Sequence, residues 1–131
     1  MKKTIFTTLI FSVFLLSACS DNTASDMPKK SAFAPVITGE LIPRSYSEKA
    51  NYYLVSVEGD GEYLKTVHSR VSSASHGFSL TRIDCKNNRF QGLGYGDDKQ
   101  ENIKMYSNVK WTDLVSGSSK SDLVSFVCNK Q

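Results

Sequence analysis

The chain has 131 residues, with 16 basic and 13 acidic side chains, a formal net charge of +3 and a pI near 8.7. Charges of both signs are interspersed and no basic cluster stands out, which argues against the concentrated positive face that nucleic acid requires. The length suits one small domain with a modest core.

Met1-Lys2-Lys3 is followed by "TIFTTLIFSVFLLSA", apolar apart from a few hydroxyls. A short positive segment, an apolar run and a small-residue exit form the layout of a secretory signal peptide. A membrane-spanning helix would need about 20 apolar residues, and this run stops near Ala18 before the polar Ser20, Asp21 and Asn22. Leu16-Ser17-Ala18-Cys19 resembles the lipobox of bacterial lipoproteins. That resemblance implies cleavage before Cys19, a diacylglycerol thioether on its sulfur and acylation of its new amino group. Two or three acyl chains hold a protein on a bilayer stably where one does so marginally. A plain export signal with an unmodified Cys19 is the alternative. Of the 16 basic residues, Lys2 and Lys3 fall in the discarded residues 1–18, so 14 face 13 acidic ones in the mature chain.

With Cys19 assigned to lipid, Cys85 and Cys128 remain of the three cysteines. They are too far apart for a CxxC redox motif, and only two histidines are available as zinc partners. Outside the cytoplasm disulfides persist, so a Cys85–Cys128 bridge is expected. Closing so long a loop stabilises by ~4 kcal/mol in the chain-entropy model.

Residues 19–35 read as a lipidated flexible tether. "SDNTASDMPKKSAFAP" lacks apolar periodicity and carries two prolines, with a reach of roughly 20–25 Å by coil statistics. The globular domain then occupies residues 36–131. "VITGELI" (36–42) reads as a strand broken by Pro43. "NYYLVSVEG" (51–59) alternates, with Tyr53, Val55 and Val57 on one face and Tyr52, Leu54 and Ser56 on the other. "GDG" (59–61) is a turn signal, and "EYLKTVHSRV" (62–71) completes a β-hairpin. "GFSLTRIDC" (77–85), the turn "KNN" and "RFQGLGYG" (89–96) repeat the arrangement, and "ENIKMYSNVKW" (101–111) is a last expected strand.

Toward the end, Leu123, Val124 and Val127 recur at helical spacing, with Phe126 alongside. Ser119 and Asp122 form a variant capping box. A short helix over 120–128 follows, with an extra strand as the competing reading because Val and Phe are weak helix formers. The expected fold is α+β, mainly β: a single antiparallel sheet of about five to six strands, with a short C-terminal helix stapled by the disulfide.

The order Cys85, Lys86, Asn88-Arg89, Tyr95, Trp111-Thr112, Gly117-Ser118-Ser119, Leu123-Val124 and Val127-Cys128 resembles the surface-adhesin protein E family of bacterial outer-membrane lipoproteins, over roughly residues 50–130. The resemblance implies an antiparallel sheet with a C-terminal helix fixed by this disulfide, exposure at the cell envelope and, in the best-known member, binding of host extracellular-matrix proteins. No motif carries that family's binding residues across one by one. Ser20, in place of an acidic residue after Cys19, resembles lipoproteins sent on to the outer membrane.

Little in the chain suggests catalysis, a cofactor or a metal. His68 lies in an expected strand and His76 in a serine-rich turn, without HxH or HExxH spacing. A solvated or hydrogen-bonded histidine is the simpler reading of each, a haem or metal contact the other. The one SxxK motif, Ser107 to Lys110, falls in an expected strand, where an offset of three sends the side chains to opposite faces. "GLGYG" (92–96) lacks the order of a phosphate cradle and reads as a bulged or bent strand. Trp111 is expected in the core near the disulfide, with an exposed binding platform as the alternative. Tyr52, Tyr63, Lys65, His68 and Arg70 are the candidate contact residues, with an ordinary edge strand as the alternative. The functional expectation is a non-enzymatic, lipid-anchored envelope protein with a protein partner. The alternative is a periplasm-facing accessory or inhibitor lipoprotein.

Overall fold

A computed structural model describes residues 36–131. The expected signal peptide, the expected acylation of Cys19 and the expected tether fall outside the described residues. Seven strands form one antiparallel sheet: β1 (Glu40–Leu41), β2 (Ala50–Asp60), β3 (Tyr63–Ser72), β4 (His76–Asp84), β5 (Arg89–Asp97), β6 (Lys104–Met105) and β7 (Thr112–Asp113). The spatial order follows the chain from β1 to β6, and β7 returns to pair with β5.

Three consecutive hairpins carry the sheet, and local chemistry explains the first and the last. Asp60 pairs with Tyr63 across two residues, and Gly61 supplies the left-handed backbone (φ +66°) that this tight turn needs. At the β4–β5 turn the Asp84 carboxylate accepts from the Asn87 amide at 3.0 Å, the Asn87 side chain at 2.8 Å and Arg89 Nε at 3.0 Å. Asn88 takes the left-handed conformation (φ +52°), which asparagine tolerates better than most residues. The Asn87 side-chain bond, with Arg89 behind it, holds Asp84 below the usual carboxylate pKa despite its burial.

The expected strand over 36–42 shortens to two residues, although Ile42 beyond it is buried and donates its amide to the Tyr52 carbonyl at 2.9 Å. The expected strand over 101–111 does not form as such. Its place is taken by a 3-10 turn at Gln100–Asn102, the two residues of β6 and an irregular run leading to β7. Within 101–111 only Ile103 and Trp111 are even partly buried, so no two-sided burial enforces alternation there.

The helix α1 spans Ser119–Cys128. Its cap is Ser118, whose Oγ accepts from the Ser121 amide at 3.1 Å, one residue earlier than the capping pair expected from sequence. Asp122, expected to cap, is instead buried against the neighbouring loop, accepting from the Arg44 guanidinium, the Ser45 hydroxyl and the Ser45 amide. Leu123, Val124 and Val127 are at most 1 % exposed and pack with Ile42, Leu54 and Ile83. At the far end of α1 the Cys128 sulfur is bonded to Cys85 just beyond β4, with Cα atoms 5.7 Å apart.

Directly paired residues share a face of a sheet, so the register assigns every side chain. Leu64, Thr66, His68 and Arg70 of β3 look toward the helix side, as do Thr81 and Ile83 of β4 and Phe90 of β5. A bulge at Val55 shifts β2 by one residue, since Leu54 pairs with His68 but Ser56 with Val67. The alternation expected along 51–59 therefore holds only as far as Leu54. Beyond it Val57 joins the helix side and Ser56 the opposite one. A second shift in "GLGYG" leaves Leu93 unpaired between Gly92 and Gly94, which bears out the bulged strand.

The opposite face buries Val67, Ser69 and Phe78. The backbone of residues 102–104, and Trp111 further on, lie against it. A Cβ on Gly94 would sit 2.7 Å from the Lys104 carbonyl oxygen and 2.9 Å from Ile103 Cγ2. Only glycine lets the chain pass so close. Trp111 packs here, its ring 4.9 Å from that of Tyr63 and beneath the Arg89 guanidinium at 4.8 Å. It lies outside the helix-side core where sequence analysis placed it.

Candidate functional site

Helix α1 covers only part of its face of the sheet. On that face the register sets out two adjacent rows: Tyr52, Arg70, Gly77 and Asp97 in one, and in the other His68, which Lys120 of α1 covers, followed by Ser79, Tyr95 and Lys104. Tyr95 is 42 % exposed and lies across Gly77, a site where any side chain would meet the tyrosine ring. Beside them Tyr106, 53 % exposed, is anchored by its amide to the Leu93 carbonyl at 2.8 Å and rests on Gly92.

Hydrogen bonds fix this surface. Arg70 Nε donates to the Tyr52 hydroxyl at 3.2 Å, and the Tyr95 hydroxyl donates to Asp97 Oδ1 at 2.7 Å. The Asp97 bond, aided by partial burial, raises the Tyr95 pKa, so the phenol stays a neutral donor. Beyond Tyr95 an open depression of about 410 Å³ is lined by Gly96, Asp97, Asp98, Asn102 and Lys104. Tyrosine and arginine offer large contact areas with polar tips, the combination that dominates protein–protein contacts.

The five candidate contact residues do not form one patch. Tyr52 and Arg70 meet on the helix side. Tyr63 and Lys65 are on the opposite face, the first against Trp111 and the second 3.3 Å from Glu58. His68 is buried, its Nε2 2.9 Å from Lys120 Nζ. His76, also buried, stacks on Phe78 with ring centroids 4.5 Å apart. Tyr95 and Tyr106 are exposed tyrosines of this surface that were not among the candidates read from the sequence. A signal for Tyr106 lay in the closely spaced glycines of "GLGYG", since its ring rests on Gly92, whereas Tyr95 lies across Gly77, and only the strand register sets Tyr95 in the row next to Arg70. Among the described residues no group of three His, Cys, Asp or Glu side chains is placed to hold a metal ion.

Comparison with family models, curated proteins and solved structures finds no match to this chain.

Proposed function

We propose that the chain is a lipid-anchored binding protein of the cell envelope, of the adhesin E type, which works by contact and not by catalysis. The observation that carries this reading is the run of half-buried Tyr52 with exposed Arg70, Tyr95 and Tyr106 on the part of the sheet that α1 leaves open. It is rich in tyrosine and carries the Arg70 cation, which suits a macromolecular partner better than a small substrate. The lipobox-like Leu16 to Cys19 supports anchorage at the outer membrane, and the adhesin E resemblance supports a host extracellular-matrix protein as partner.

The test is binding of the mature lipoprotein to immobilised matrix proteins, comparing wild type with Arg70→Glu and Tyr106→Ala. Each substitution should weaken binding at least tenfold, since central Arg and Tyr side chains are common hot spots. Equal binding by all three proteins removes this surface from the reading. Surface labelling of intact cells is the second arm. Should a protease reach the protein only after the outer membrane is broken, the periplasm-facing accessory or inhibitor role replaces adhesion. Mass spectrometry of the mature amino end checks the acylation of Cys19.

A further inference from the structure

The seam between α1 and the sheet holds a lysine with no acid beside it. Lys120 Nζ lies 2.9 Å from His68 Nε2 on β3 and 3.0 Å from Thr81 Oγ1 on β4, with the Phe90 ring of β5 at 5.9 Å. Behind Thr81, the buried Thr66 hydroxyl donates to the Thr81 carbonyl at 3.2 Å. The nearest carboxylate along the helix, Asp122, is taken by Arg44 and Ser45. Among the described residues, none of the ion pairs involves Lys120.

This geometry limits the protons the pair can hold. An ammonium at Lys120 donates to Nε2, so that nitrogen must present its lone pair and the ring proton must sit on Nδ1. Nδ1 is itself buried and has no hydrogen-bond partner. A second proton on His68 would set donor against donor and two positive charges 2.9 Å apart, with the imidazole itself buried.

We propose that the His68–Lys120 contact is an acid-sensitive latch holding the first turns of α1 on the sheet. Burial, reinforced by the neighbouring Lys120 charge, holds His68 well below its ordinary pKa of 6.5, and burial lowers Lys120 to about 8. Both values are depressed in the docked state, so the undocked state binds more protons in two windows. Docking strengthens as pH rises from about 8 toward the ordinary lysine value of 10.5, and weakens as pH falls below 6.5. The Cys85–Cys128 bond keeps the other end of the helix attached, so release is confined to the Ser119 end.

Amide hydrogen exchange of the mature chain between pH 5 and 10, corrected for intrinsic rates, tests the latch. From pH 6.5 to 5 the opening of residues 121–124 should grow by up to about tenfold per pH unit, one proton's worth, with a smaller change at Val127 and Cys128. His68→Gln should abolish that acid slope, and Lys120→Met should abolish the gain in protection between pH 8 and 10. An acid slope equal in His68→Gln and wild type overturns the proposal, as does the absence of a slope in wild type. NMR titration of the wild-type His68 ring decides without relying on a variant. A ring still neutral at pH 5.5 supports the latch, and one titrating near 6.5 overturns it.

Discussion

The two faces of the sheet are covered by different means. On one side α1 lays Leu123, Val124 and Val127 on Ile42, Leu54 and Ile83, and a disulfide fixes its end. On the other the irregular stretch at residues 102–104 lies flush where Gly94 and Gly96 clear the way, beside a mixed network in which Arg82 Nε donates to Asp60 at 2.6 Å and Arg82 Nη1 to Gln91 at 3.2 Å. The first cover is held by apolar burial and a covalent link, the second by backbone fit and partly solvated polar bonds. A helix can bring its own apolar stripe, whereas an irregular segment is held only where the sheet gives it room.

Removing both cysteines of the bridge, Cys85→Ser with Cys128→Ser, should have the largest effect, a loss of about 4 kcal/mol in urea unfolding of the protein. A loss under about 1 kcal/mol would mean that the helix needs no staple. Leu123→Ala, which opens a cavity under the fully buried centre of α1, should cost roughly 3 kcal/mol. Asp122→Asn, which leaves Arg44 and Ser45 poorly matched, should cost about 2 kcal/mol at pH 7. Burial raises the Asp122 pKa, but the Ser45 bonds and the Arg44 charge outweigh it and hold it below the ordinary 3.8. Its contribution is therefore present above that value and fades as pH falls through the lower folded value, so the variant's acid unfolding curve should flatten there.

The opposite face should respond less. Gly96→Val, whose side chain would strike the backbone of Asn102 and Ile103, should cost about 2 kcal/mol and expose Trp111, read as a red shift of its fluorescence. An unshifted spectrum would show that the segment does not depend on glycine clearance. Arg82→Met, which removes a half-exposed pair, should change stability by less than about 1 kcal/mol. If it matched Leu123→Ala, the contrast between the faces would collapse.

Much of the fold was legible in the sequence because its causes are local. Gly61 and Asn88 turn the chain where their backbone preferences allow, and Leu123, Val124 and Val127 announce a helix by their spacing. The sulfur pairing followed from counting cysteines. Less of the candidate site was legible. Tyr52 and Arg70 were found because they flank one hairpin, but Tyr63 and Lys65 of that hairpin belong to the other face. Lys120 gave no signal, since a lysine at a helix start reads as solvated until the sheet is placed under it.

Composition and local turn chemistry thus determined the hairpins, the terminal helix and the disulfide. Which side chains share a surface was decided only in three dimensions. Side-chain direction in a strand has a period of two, so one unpaired residue, Val55 in β2 or Leu93 in β5, moves every later position to the other face. Where such a residue will be accommodated depends on the neighbouring strand and on the helix above it, which are distant in sequence.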